Sequence, residues 1–296
     1  GSSDMETLSD TSISSHRPPT PKTFYRWFIA IPFLVAIVWS VVGLNITLSR
    51  LLDAPGDAWT ILRQMAPPAF GEVYERGAVG KIFESVYIAW IGTIIGAFVS
   101  LPLAFLAAHN VAPVWIRSPI RQLFNAIRAV PELILAVILI PITGLGAWAG
   151  TLAIGIHSIG TLGKWACESI EDIDDGPIEA TKACGGKWAS GMRWGVLPQV
   201  MPVISSYWLF RFEINVRASA VLGMIGAGGV GSELVSQLSF RNFPAASAVL
   251  IMTMAVVLTI DTISAAVRRR IIKGSDNTDE DSRTLEAITD LTGIRS

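Results

Sequence analysis

The chain has 296 residues, of which 51% are hydrophobic and 16% charged, with a mean hydropathy of +0.50. That is too apolar for a soluble domain of this length. The net charge of −1 says little about partners, and two cysteines, Cys167 and Cys184, make neither a zinc site nor a disulfide framework.

Residues 1–22 are rich in Ser, Thr and Pro and read as a disordered cytoplasmic tail. Six apolar segments follow at about 27–48, 82–108, 123–142, 148–166, 199–223 and 245–267. Each is about the length that crosses a hydrocarbon core about 30 Å thick. Lipid offers no partner to backbone N–H and C=O groups, so each is expected to be helical. The expected fold is therefore an all-α polytopic membrane protein of about six spans, with a transmembrane domain over 23–273. Residues 49–80 form a long first loop whose Leu51, Leu52, Trp59, Ile61, Leu62 and Met65 can lie along a membrane surface. Pro67-Pro68 stops any helix there. Asn45-Ile46-Thr47 matches a glycosylation sequon at a span end and is read as chance.

Gly92 and Gly96 give the second span a G-x-x-x-G spacing for close helix packing. In the third span Arg128 and Glu132 are four apart around Pro131, which removes a backbone hydrogen bond and kinks the helix. They read as a buried pair on a path-lining helix, or as a boundary pair with Arg128 snorkelling. His157 lies within the fourth span and is either packing or pathway; Lys164 and Glu168 form a boundary pair at its end.

Residues 174–198 form a polar loop punctuated by glycine. Pro177 suits the first turn of a short helix over 177–184, capped by Asp175 or Gly176 and broken at Gly185-Gly186. A second short helix is expected over 187–193, and Leu197-Pro198 then opens the fifth span. Glu179, Thr181 and Lys182 are left facing water or a partner, with Ala180, Ala183 and Trp188 offering small or flat apolar surface. Such a compact knob fits a groove.

The fifth span carries Arg211, Glu213, Asn215 and Arg217. Charges at bilayer depth cost a few kcal/mol and face a bundle interior or a wet path. Glu213 and Arg217 share a face and can pair, as can Arg211 and Asn215. Arg211 and Glu213 lie about 200° apart, so they cannot both face one narrow pore. Arg211 or Arg217 can present a guanidinium to a passing anion, or all four can fix helix packing. Gly226, Gly228, Gly229 and Gly231 follow. Their G-x-G-x-x-G has no preceding strand, so it is not a dinucleotide site but a close-packed outer turn, part of a gate. Asp261 in the sixth span can cap polar groups or pair with an arginine. Residues 274–296 form a cytoplasmic tail with a weak amphipathic helix ending at Gly293.

Twelve Lys and Arg flank one set of loops (Arg17, Lys22 and Arg26; Arg117 and Arg121; Lys182, Lys187 and Arg193; Arg268, Arg269, Arg270 and Lys273). Five flank the other (Arg50, Arg63, Arg76, Lys81 and Arg241). The bias places both termini and the Glu179 loop in the cytoplasm of a plasma-membrane protein.

The loop resembles the EAA motif of ABC importer permeases: Glu-Ala-Ala, three residues, Gly, nine residues, Ile, one residue, Leu-Pro. Glu179, Ala180, Gly185, Leu197 and Pro198 match in register, while Thr181 replaces the second Ala and Gly195 stands where Ile is usual. The stretch RFEINVRASAVLGMIGAGGVG at 211–231 is similar to the phosphonate-type branch. MAPPAF, LPLAFLAAHNVAP and RAVPELILA agree. The resemblance implies a type I importer permease fold and import of phosphonate, phosphite or phosphate. It also implies a permease homodimer, two ATPase subunits that hold the ATP and Mg, and an extracytoplasmic binding protein. This chain is expected to hold no cofactor or metal, to bind no nucleic acid and to do no covalent chemistry; no Walker A motif is present. Two alternatives stay open: a permease for another solute such as methionine, and a secondary transporter using Glu213, Asp261 or His157 as proton relays.

Overall fold

The structure, a computed structural model, describes residues 23–43 and 48–292; side-chain surroundings are described for 30–43 and 53–272. The expectations for the 1–22 tail and the Asn45 sequon lie outside the described residues. The chain divides into two units, 1–60 and 61–296. The first holds α1 (Thr23–Gly43) and most of α2 (Leu48–Gln64). From 30 onward α1 is exposed along its length, with Phe33, Trp39 and Val42 outermost.

The second unit contains α3 (Phe70–Glu75), α4 (Ala78–Ala107), α5 (Val114–Ala129), α6 (Glu132–Thr143), α7 (Ala147–Glu171), α8 (Gly176–Ala183), α9 (Trp188–Ser190), a π-turn (Gly191–Val196), α10 (Leu197–Gly223), α11 (Val230–Ser239) and α12 (Phe243–Thr292). The central helix is α7. It is rich in Gly, Ala, Ser and Thr, and buries residues along its whole length from Ala149 to Ile170. Small residues let backbones approach where lipid gives no hydrophobic drive. A Cβ at Gly92 of α4 would stand 2.7 Å from Ile154, and one at Gly96 would strike Ser158. Gly160 does the same against Ile127 of α5, at 2.9 Å.

Among the described residues, α4 and α12 are long and apolar enough to cross a membrane by themselves; α5 and α6 pass only together. The expected six crossing segments are thus not six uniform apolar rods. Helices α7 and α10 are long, at 25 and 27 residues, but carry polar groups on buried faces. Lipid selects for hydropathy only on surface it touches.

One expectation is corrected here. The third span is not one kinked helix but two helices bent by 89°. Pro131 lacks a donor and forces the residue before it out of helical geometry; Val130 is accordingly extended (φ −92°, ψ 118°). In the C-terminal segment α12 runs unbroken to Thr292. The polar tail expected from residue 274 begins within this helix, as a shift of composition with no proline to stop it.

Candidate functional site

The 174–198 loop folds as a knob on the end of the bundle. Gln199 Oε1 accepts the Asp174 N–H (3.0 Å), and its Nε2 donates to Asp174 O (3.1 Å) and Gly195 O (2.7 Å). Asp175 stands at the cap position of α8, yet its side chain makes no capping bond. Asp174 Oδ1 accepts the Gly176 N–H instead, at 3.0 Å. Thr181 Oγ1 donates back to Pro177 O (2.8 Å). The helix ends on Gly185, at φ +74°, and Gly186 N–H donates to Thr181 O (2.9 Å). A Cβ at Gly186 would stand 2.7 Å from that same carbonyl oxygen. Glu179, Ala180, Lys182 and Trp188 are exposed and α8 buries no residue, so its outward surface is unfilled by the described residues.

The expected second helix, 187–193, shrinks to α9 and flows through the π-turn into α10. Pro198 and Pro202 cannot donate to the preceding turn, and a wider turn accommodates the freed carbonyls. Leu197 and Pro198 therefore continue a helical stretch and do not start one. Gly195, where the motif usually has Ile, sits under Ile178 of α8: its Cβ would lie 3.0 Å from that side chain. Isoleucine reaches the same space from the opposite partner. Knob and α10 thus form one mechanical piece.

A staple that the sequence reading missed holds the neighbouring loop. Glu171, the last residue of α7, accepts the His109 backbone N–H (2.6 Å), meets His109 Nδ1 (2.9 Å) and pairs with Arg121. Arg121 Nε donates to Ala107 O (2.9 Å), and Asn110 donates to Ile170 O (2.7 Å). Burial would raise the Glu171 pKa, but the hydrogen bonds from His109 and the charge of Arg121 outweigh it and hold the carboxyl below its ordinary range. A folded-state pKa below the unfolded one gives stability that is present above about pH 4.3 and lost as pH falls through the depressed value. Melting of the detergent-solubilised protein should show wild type above Glu171→Gln at pH 7, with the gap closing on acidification. A gap constant from neutral to strongly acid pH would contradict it.

Within the bundle the polar residues of α10 split by face. Arg211, 5% exposed, donates from Nε to Ser158 Oγ (3.1 Å) and reaches Glu132 Oε2 at 3.2 Å. It also lies 2.7 Å from His157 Nδ1. Arginine has donors only, so Nδ1 accepts and the imidazole proton sits on Nε2. Asn215 Nδ2 donates to Thr93 Oγ1 (2.8 Å) and Ser158 Oγ (3.1 Å). On the far face Glu213 pairs with Arg268 of α12 (3.2 Å), and Arg217, at the edge between the two faces, pairs with Asp261 of α12 (3.6 Å). The expected Glu213–Arg217 and Arg128–Glu132 pairs are replaced by these. Helix α12 offers nearer partners, and the break at Pro131 puts Arg128 at the exposed end of α5 and Glu132 on the first turn of α6. A carboxylate is favoured at a helix N-terminus. The boundary pair Lys164–Glu168 is present, at 3.7 Å.

At the other end of α10, about 40 Å from the knob by helical rise, the glycine turn is tightly packed. Gly226, Gly228 and Gly229 have φ of +91°, +79° and +78°, backbone that L side chains rarely adopt. Gly226 O accepts the Gly146 N–H (2.9 Å). Glu84 of α4 accepts the Gly229 N–H (3.2 Å), and Ser85 accepts that of Val230 (2.8 Å). Gly231 belongs to the first turn of α11 and not to the loop; its Cβ would stand 2.7 Å from Met224 N.

Residues 100–273, more than half the chain, match the family described as binding-protein-dependent transport system inner membrane component. The chain belongs to that family.

Among its relatives, the permease is 38% identical over 243 residues to the phosphite transport system permease protein PtxC of Stutzerimonas stutzeri, covering 79% of this chain and 87% of that one. It is 39% identical to the phosphate-import permease protein PhnE of Mycolicibacterium smegmatis, over 72% of this chain and 40% of PhnE. Against the putative cryptic phosphonate transport system permease protein PhnE2 of Escherichia coli identity is 40%, over 41% of this chain and 99% of PhnE2. The resemblance to the phosphonate-type branch is thereby met. In fold the permease matches a chain of the inward-facing MetNI methionine ABC transporter, with TM-score 0.58 and 21% identity over 68% of this chain and 98% of that one. It also matches a chain of an amino acid ABC transporter with histidines, with TM-score 0.57 and 20% identity over 67% and 95%. The fold is the type I importer permease fold, and the chain is a multi-pass inner-membrane transport subunit.

Proposed function

We propose that the permease carries a phosphorus oxyanion (phosphite, phosphonate or phosphate) inward. The oxyanion arrives from an extracytoplasmic binding protein, and the driving force comes from two ATPase subunits that hold the ATP and Mg. In this reading two copies of the chain form the pathway, both termini are cytoplasmic, and the α8 knob is the ATPase-coupling foot. Glu179, Ala180, Thr181, Gly185 and Gly186 shape its docking surface, and Leu197 and Pro198 pass its motion into α10. The glycine turn is the outer gate.

The carrying observation is the rigid join of α8 to α10, through Ile178 over Gly195 and Gln199 on Asp174. It links an exposed surface with no partner among the described residues to the helix holding Arg211, Glu213, Asn215 and Arg217. The phosphite, phosphate and phosphonate names of the relatives favour the oxyanion. A methionine permease is less supported: the D-methionine relative of Haemophilus influenzae is 27% identical over 55% of this chain.

Proteoliposomes holding permease, ATPase and binding protein should take up phosphite, with alkylphosphonate or phosphate competing and D-methionine not. Uptake by the permease alone would support the secondary-transporter reading instead, and competition by D-methionine would overturn the oxyanion.

A further inference from the structure

Resting on the oxyanion reading, we propose that Arg217, and not the more deeply buried Arg211, is the guanidinium that contacts the oxyanion in the membrane, in a cavity shared by α6, α7 and α10. The cavity has a volume of about 470 Å³, and its walls include Glu132, His157, Arg217, Ala218, Val221 and Leu222.

The two arginines differ in what they have left to give. Arg211 has 6% of its side chain exposed; its Nε donates to Ser158, and its Nη2 is shared between Glu132 and His157. Its charge is neutralised by Glu132 at 3.2 Å. Taking a ligand would mean stripping a carboxylate from a buried cation, which is strongly unfavourable. Arg217 has 53% of its side chain exposed and a single ion pair, Nη1 to Asp261 Oδ2 at 3.6 Å. That separation is beyond hydrogen-bond range, and Nε and Nη2 have no partner among the described residues. Asp261 is not a wall of the cavity, and the Nε–Nη2 edge is the part of the fork left without a partner among the described residues. That edge matches two oxygens of a phosphorus oxyanion in a bidentate geometry.

The rest of the cavity fits the same ligand class. Glu132 would repel an anion, but Arg211 offsets its charge. Ala218, Val221 and Leu222 lie one to five residues beyond Arg217 and present apolar surface. A phosphonate has both parts this site separates, a charged head for Arg217 and a P-substituent for the apolar wall. Phosphite, whose substituent is hydrogen, needs the head contact alone. In the empty path Asp261 balances Arg217; when the oxyanion binds, the guanidinium keeps Nη1 toward Asp261 and gives its other edge to the ligand.

The test is ATP-driven, binding-protein-dependent uptake of labelled phosphite and of ethylphosphonate in proteoliposomes of the whole transporter. Arg217→Gln should cut uptake of both by about tenfold or more, the worth of hydrogen bonds to charged groups. Uptake is normalised to the amount of assembled complex, so that the loss is one of transport per complex. Val221→Phe, at a position 47% exposed, fills the apolar wall and should reduce ethylphosphonate uptake far more than phosphite uptake. Equal effects of Val221→Phe on the two solutes, or Arg217→Gln uptake within about twofold of wild type, less than one charged hydrogen bond, would overturn the assignment while leaving the oxyanion reading standing. A wild-type transporter that moves neither solute would overturn that reading and the assignment with it.

Discussion

Replacing Glu132 with Ala should destabilise the permease by about 3–5 kcal/mol, the cost of leaving a buried charge without its partner. Arg211 is that charge: its side chain is 6% exposed and Glu132 is the carboxylate it reaches, at 3.2 Å. Neither Ser158 nor neutral His157 can replace a negative charge. Glu132→Gln keeps an acceptor and should cost less. Joining Glu132→Ala to Arg211→Met should recover much of the loss, because no buried charge is then left without its partner. Thermal unfolding in detergent of wild type, Glu132→Ala, Arg211→Met and the double variant measures the coupling as a double-mutant cycle. A Glu132→Ala protein as stable as wild type would show that Arg211 is not neutralised by Glu132.

The coupling foot should separate transport from folding. Gly185 needs φ +74° but has open space around it, so Gly185→Val meets backbone strain of about 1–2 kcal/mol. Gly186→Val adds a contact at 2.7 Å with Thr181 O and must shift the end of α8. Because α8 buries no residue, both variants should reach the membrane in normal amount. Glu179 is exposed, and Glu179→Ala should change stability by less than about 0.5 kcal/mol, as surface substitutions do. If Glu179 meets the ATPase, its loss weakens docking by roughly one charged contact, about tenfold in affinity. Uptake should fall in all three variants, with melting near wild type for Glu179→Ala and lowered by no more than the local strain of the knob for the two glycine variants. Full uptake in Gly186→Val and Glu179→Ala would remove α8 from the route.

Much of this arrangement was legible in the chain, for physical reasons. Apolar runs of span length located α4, α7, α10 and α12, since lipid thickness sets their length. The Gly92/Gly96 spacing foretold the approach of α4 to a neighbour. Helical geometry separated Arg211 from Glu213, and the structure sends them to α6–α7 and α12 respectively. What spacing cannot say is which helix stands opposite a face. Glu213 and Arg217, four apart, therefore looked like partners, until Arg268 and Asp261 of α12 proved nearer. Pro131 marked a kink, but the apolar residues on both sides hid a bend of 89°. The Glu171 staple joins residues about sixty apart in sequence, with no local periodicity to announce it. Ser158, which serves both Arg211 and Asn215, is an ordinary small residue until those two are placed around it.

The account depends most on a foot that faces the cytoplasm and is covered by an ATPase. Cys184 stands at the end of α8 and is exposed, whereas Cys167 is buried. A membrane-impermeant maleimide therefore reports on the foot in the unmodified protein. In inside-out vesicles stripped of ATPase, Cys184 should label readily, and adding the ATPase back should protect it. Labelling of Cys184 in sealed right-side-out vesicles, or labelling in inside-out vesicles that the ATPase leaves unchanged, would contradict the coupling mechanism.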